Sequence, residues 1–285
     1  MCLYLRPEYS VTVMRSAKGF SLIELMLAVV LTTLFISSIT GLALGISRVS
    51  SQIEQTGEIV ENAQYLTRLM KRELSLVGFY GVSNPLAFGL KRPDICAGLS
   101  AMPIEQALLY PVDGINNVAE GVRLCEGDMI MPDSDVLVLR QGLLPSQRDP
   151  EQVTEWQQTI YYLSADKSFK RRRLIKGSFK RSVPLAEGVD DFQLEYGLRK
   201  IRPQGVKTEF VGLPSTEQEW SQLVAIRFHL LLSSTAPSPR GHASQIYHYA
   251  TQSNQLYDDK QRDLFTGISQ LNNLAPKVVE LDSAL

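Results

Sequence analysis

A single carboxylate inside an apolar run is the feature of this chain with most to say about chemistry. In Lys18-Gly19-Phe20-Ser21-Leu22-Ile23-Glu24-Leu25 a basic residue and a glycine precede the run, and from Phe20 to Ser47 the sole ionisable side chain is Glu24. A carboxylate is only mildly favoured at a helix N-terminus. Within a bilayer an ionised one costs about 2.5 to 3.5 kcal/mol on insertion scales and survives mainly beside a partner charge. Glu24 therefore reads as half of an ion pair. A second candidate is the stretch Lys167 to Arg181, where Lys167, Lys170, Arg171, Arg172, Arg173, Lys176, Lys180 and Arg181 are interleaved with Phe169 and Phe179. That is the composition of a patch for DNA phosphates or another anionic surface. The cysteines Cys96 and Cys125 form no CxxC pair, and His229, His242 and His248 have no metal-ligand spacing, so neither a zinc site nor a cofactor is expected. No GxSxG, P-loop, HExxH or GxGxxG motif is present, which argues against an enzyme.

The elements that would position these groups begin with a membrane segment. Leu25 to Ile46, at roughly 1.5 Å per helical residue, is long enough to cross a hydrocarbon core of about 30 Å. The residues after Leu44 make a poor signal-peptidase site, so the apolar segment is expected to stay attached. Arg15 and Lys18 lie on the cytoplasmic side by the positive-inside rule, which sends everything after Ser47 across the membrane. Val49, Ile53, Val60, Ala63, Met70, Leu74 and Val77 then recur at helical steps between polar residues. One helix of about 55 residues follows, with Gly78 and Gly81 suited to its termination and Phe79 and Tyr80 to pinning its exit. Gly41 and Gly45 form a small-xxx-small pair that suits close helix approach, a weak point in the helix, or neither.

The first 19 residues and the 28 from Phe20 to Ser47 leave some 240 of 285 for one head domain. Turn-rich sequence from Asn84 to Asp135, with Pro85, Pro93, Pro103, Pro111 and Pro132, reads as an irregular surface insertion. In an oxidising compartment Cys96 and Cys125 would close a loop of about 30 residues, worth roughly 3 to 4 kcal/mol, and a disulfide is favoured over two free thiols. Strand candidates follow at Asp135 to Arg140, Thr159 to Leu163, Phe169 to Ile175, Phe192 to Tyr196, Leu223 to Leu232 and Gln245 to Tyr249. Helix first and sheet after is an α+β plan. Within the basic strand, Arg171 and Arg173 share a face with Phe169 and Ile175, while Lys170 and Arg172 take the other. A solvated hairpin, a partner-docking edge and a DNA contact through Lys170, Arg171, Arg172 and Arg173 all fit that pattern. An exposed basic edge also discourages unwanted sheet pairing.

The stretch from Lys18 to Leu25 resembles the class III signal of type IV prepilins and type II secretion pseudopilins. The resemblance implies that prepilin peptidase cuts between Gly19 and Phe20 and methylates Phe20. It also implies that Glu24 pairs with the free Phe20 amine of a neighbouring subunit to set filament register. Met14-Arg15-Ser16-Ala17-Lys18-Gly19 alone would make a compact leader, so Met14 is an alternative start. The leader of 19 residues holds three of the 29 basic and one of the 30 acidic residues, leaving 26 against 29, and nothing global points to nucleic acid.

Three further stretches are similar to PilW-type minor pilins. They are Glu61-Asn62-Ala63-Gln64-Tyr65 through Gly78-Phe79-Tyr80-Gly81, the strand Val189 to Gly197, and Leu223 to Leu230 with Arg262-Asp263-Leu264-Phe265-Thr266 as penultimate and closing strands. Between Asn84 and Gln158 no resemblance is seen, and the tail after Thr266 departs from the family's ending. The resemblance implies a pilin-like α+β fold, in which a long N-terminal helix, first membrane-spanning and then amphipathic, packs on an antiparallel sheet. Its segments would be a leader at 1–19, a core helix at 20–47, an amphipathic continuation at 48–81 and a periplasmic head at 82–285 with an irregular 84–134 insertion. The implied role is to prime pilus assembly near the filament tip, supporting twitching motility and adhesion. Implied partners are prepilin peptidase, other minor pilins and the major pilin, the inner-membrane assembly platform and a tip adhesin. A type II secretion pseudopilin and a DNA-binding competence pilin are the alternatives.

Overall fold

Helix α1, Leu22–Leu76, takes up the whole apolar run and its wetter continuation in 55 residues. Its first turn is closed by the Ser21 carbonyl, which accepts from the amides of Glu24 and Leu25 at 3.0 and 3.1 Å. Three hydroxyls inside the apolar run are satisfied locally: Thr32, Ser38 and Thr40 donate to carbonyls four residues back at 2.7 to 2.9 Å. That keeps their polarity off the helix surface, as a lipid environment requires. The computed structural model describes residues 19, 21–78, 111–124, 127–142, 156–175, 178–203, 205–238, 243–250 and 252–273. The chain divides into two units, residues 1–50 and 51–285.

In the first unit every described residue from Leu22 to Ser50 is exposed, large apolar side chains included. An apolar surface of that extent is not tolerated in water and marks a segment meant for lipid or for other helices.

In the second unit α1 buries Gln55, Ile59, Ala63, Leu66, Met70, Glu73 and Leu74. Steps of three and four place them on one stripe. The stripe differs from the expected one, since Val49 and Ile53 are exposed and Ile59 and Leu66 belong to the core. Periodicity locates a face but not the point at which a sheet begins to cover it. The helix ends at Leu76, and Gly78 follows at φ 74° with its amide donating to the Arg140 carbonyl at 3.2 Å. A left-handed residue past the last turn is where glycine carries no Cβ penalty. Phe79, Tyr80 and Gly81 lie outside the described residues.

The head is antiparallel throughout. A six-stranded sheet is built from β1 (Val112–Ile115), β2 (Val136–Gly142), β3 (Trp156–Leu163), β4 (Phe169–Ile175) and β5 (Ser178–Phe179) in that order, with β6 (Val183–Ala186) also on β4. A four-stranded sheet has the order β12-β9-β7-β8, from β7 (Val189–Arg202), β8 (Gly205–Val211), β9 (Leu223–Ser233) and β12 (Arg262–Gln270). Strands β10 (Ala243–Tyr249) and β11 (Gln252–Asp258) form a separate hairpin, and α2 (Glu217–Ser221) is a short helix capped by Thr216. The hairpin separates β9 from β12 in the chain, so the strand expected to be penultimate is not, although β12 does pair along β9. β12 also continues four residues past the Thr266 boundary, to Gln270.

One core joins the helix stripe to both sheets. Leu66, Met70 and Leu74 share it with Leu137, Leu139, Tyr161 and Phe169 of the six-stranded sheet and with Phe192, Leu194, Tyr196, Phe228 and Leu230 of the four-stranded one. β2 is buried on both faces, because Val136 and Val138 enter a second core with Val118, Leu124, Ile130, Ile160 and Tyr162. The segment expected to be irregular therefore does structural work from residue 112 onward. It supplies edge strand β1 and the residues that cover the outer face of β2 and β3.

The candidate assembly helix and the basic strand

Glu24 stands in the first turn of α1, exposed like its neighbours. Gly19 is exposed, and Phe20 lies outside the described residues. The geometry at this end is a helix start with one carboxylate on an uncovered apolar cylinder. It offers a charge to a neighbour and has no counter-charge of its own on the described part of the run.

The basic strand has a different arrangement. β4 alternates as expected, and each face meets its own acids. On the inner face, Glu73 of α1 receives Arg173 at 3.2 Å and Arg171 at 3.6 Å. Only about a tenth of the Glu73 side chain is exposed. These two arginines thus fasten the helix to the sheet, 98 and 100 residues along the chain. On the outer face, Lys170 pairs with Asp166 at 2.8 Å and Asp128 at 3.4 Å. Burial by itself would lower the Lys170 pKa, but Asp166 and Asp128 hold it above its ordinary value. Arg172 donates to the carbonyls of Lys180 and Leu124 and lies over the Phe179 ring at 5.0 Å. The solvated-hairpin expectation needs correcting here: these four side chains are engaged within the head.

Three buried polar groups were not singled out from sequence. Arg140 and Asp113, both almost fully buried, pair at 3.2 Å, with Gln158 accepting from Arg140 Nε at 3.4 Å. Asp135 accepts from the amides of Asn117 at 2.8 Å and Leu194 at 2.7 Å, tying the 117–135 loop to β7. Burial pushes its carboxyl up to about 7 despite those donors. Asp191 accepts from Tyr249 Oη at 2.5 Å and Asn254 Nδ2 at 2.8 Å, which anchors the β10–β11 hairpin, and burial raises its pKa as well. The neighbouring Asp190 shifts the other way. Burial would raise it, but Lys167 at 2.6 Å and Arg262 at 2.5 Å hold it below the ordinary range. A buried charge without its partner is costly, so these groups bear on structure before function. Their one sequence signal was a carboxylate beside an apolar strand, as in Ser134-Asp135-Val136 and Asp190-Asp191-Phe192.

His229 bridges Glu195 and Thr266 at 2.9 Å each on the outer face of the four-stranded sheet. Arg227 pairs with the same Glu195 and stacks on Phe210 at 3.7 Å. Cys96, Cys125 and His242 lie outside the described residues.

The family model described as Type IV Pilus-assembly protein W matches residues 157–273, that is, the head from β3 through β12. The Prokaryotic N-terminal methylation motif matches residues 14–40. The family match begins at the end of the Asn84 to Gln158 stretch in which no resemblance is seen, and it takes in the resembling strands at 189–197, 223–230 and 262–266. Among solved structures the chain is similar to a type IV-like pilin from Thermus thermophilus, at 15% identity and a TM-score of 0.40, over 76% of this chain and 98% of that one. No curated protein matches the sequence. The chain thus joins a prepilin-type methylation motif, opening an uncovered apolar helix, to a head that matches the PilW family model from β3 onward, which makes it similar to the PilW-type type IV pilins over those two stretches.

Proposed function

We propose that the protein is a minor pilin that primes assembly of type IV pili and is incorporated near the filament tip, in support of twitching motility and adhesion. The observation that carries the reading is the helix from Leu22 to Ser50, apolar, exposed on every side and bearing one carboxylate in its first turn. Such a surface needs lipid before assembly and other helices afterwards. Prepilin peptidase cuts after Gly19 and methylates Phe20, and Glu24 of one subunit takes the Phe20 amine of the next. The head faces the periplasm until the subunit leaves the inner membrane at the assembly platform, joining other minor pilins, the major pilin and a tip adhesin. Its role is structural, not catalytic. A DNA contact through Lys170, Arg171, Arg172 and Arg173 is not part of the proposal, because those side chains already have partners in the head.

The test is intact mass and N-terminal sequencing of the protein from membranes and from sheared filaments, with and without Glu24→Ala. The expected result is N-methyl-phenylalanine at position 20 and an incorporation about tenfold lower in the variant, the scale of losing one ion pair worth about 1.4 kcal/mol. An uncut N-terminus, or unchanged incorporation, would overturn it.

A further inference from the structure

Strand β7 outruns its sheet. Its last pair with β9 is Leu198 with Leu223, whereas its pairing with β8 continues to Arg202 with Gly205. Residues 199–202 and 205–208 are thus a two-stranded ribbon beyond the four-stranded sheet. Its root is held where the Arg199 amide donates to the Gln222 carbonyl at 2.8 Å.

That bond also fixes the parity of the ladder. Arg199 is opposite Thr208, and its amide points away from β8, so this is a pair without mutual hydrogen bonds. The same alternation turns the main-chain N–H and C=O groups of Val206, Thr208 and Phe210 outward. Among the described residues nothing takes those groups. β8 is exposed from Gly205 to Glu209, with only Phe210 and Val211 half-buried. The opposite edge, β12, is less open: three of its residues are buried and Tyr247 Oη donates to the Arg262 carbonyl.

The side chains of the ribbon define what would fit it. Ile201 and Val206 are directly paired and stand 80% and 59% exposed. On the opposite face Lys200 pairs across to Lys207. Lys200, Arg202 and Lys207 share that face with a single acid, Glu209, which is bound by Arg202 at 3.2 Å, while Arg199 lies on the face of Ile201 and Val206. Arg199, Lys200 and Lys207 have no acidic partner among the described residues.

We infer that the β7–β8 ribbon is a docking edge for an extended segment of another subunit in which acidic and apolar residues alternate. The segment adds as a strand to β8, its main chain meeting Val206, Thr208 and Phe210. Its apolar side chains lie beside Val206, on the face that Ile201 extends, and its carboxylates beside Lys207, on the face that Lys200 extends. The inference rests on the pilin reading for the source of that segment.

The test uses the purified full chain in non-ionic detergent and two synthetic nonapeptides, one alternating valine with glutamate and one alternating valine with lysine, followed by hydrogen exchange across residues 205–211. The acidic peptide is expected to slow exchange there, the basic one not, and Lys200→Glu with Lys207→Glu to weaken the acidic peptide about tenfold or more. No slowing by the acidic peptide, or equal slowing by both, would overturn the proposal and leave the lysines as a guard against unwanted strand pairing. Processing of Phe20 is read separately. A failed peptide experiment on a chain that is methylated and incorporated removes the ribbon alone, while an unprocessed chain removes the pilin reading.

Discussion

Asp135 shows what a single carboxyl does when it caps two amides in a place water does not reach. Its pKa is 3.8 in the ordinary state and about 7 in the fold, with burial as the cause. Between those values the native state binds a proton that the unfolded chain has released. The contribution to stability is therefore fully present below the lower value and is lost as pH rises through the upper one. In Asp135→Asn, which keeps an acceptor for one of the two amides, the fall in urea midpoint between pH 5 and pH 8 should be shallower than in the parent. Identical slopes in the two proteins would show that Asp135 does not titrate in that window.

At the scale of elements, α1 is one helix with two surfaces. Leu66 is fully buried against both sheets, and Leu66→Ala should cost about 2 to 5 kcal/mol in denaturant unfolding of the head. Ile53 is 67% exposed, and Ile53→Ala should stay within about 0.5 kcal/mol. Equal losses at the two positions would mean that the core stripe has been placed wrongly. Much of this architecture was legible in the chain: the length of α1, the α+β order and the span of β4 follow from apolar period and breaker residues. The strands that escaped notice have other causes. β11, Gln252–Asp258, is almost wholly polar, and β8 alternates Val206, Thr208 and Phe210 with Lys207 and Glu209 but buries none of them. Both owe their strand state to a paired neighbour and not to a core. The role of Arg171 and Arg173 was out of reach for a similar reason: their acid, Glu73, is a hundred residues away and on another element. The place of Glu24 in the first turn of α1, by contrast, was legible at once, because the signal for that helix start is local.

For the molecule as a whole, the division at Ser50 separates a surface built for apolar surroundings from a domain that carries its own core. Both hydrophobic cores are built from residues of 51–285 alone. A fragment of residues 51–285 should unfold cooperatively in water, within about 1 kcal/mol of the head in the full chain in detergent, as followed by far-UV circular dichroism. A fragment that melts broadly or not at all would mean that the head depends on the anchor.

The β10–β11 hairpin carries a consequence of another kind, one of time. It is tied to the sheet by polar side chains, through Tyr249 and Asn254 on Asp191, Tyr247 on the Arg262 carbonyl and Arg262 on Asp258. These ties are few beside the continuous ladders of the sheet, so the hairpin lifts at a smaller free-energy cost than the sheet beneath it unfolds. In its brief open intervals the ring of His229, normally 5.9 Å from that of Tyr249, is uncovered. The outer face of the head is therefore a surface whose area depends on how long one observes it.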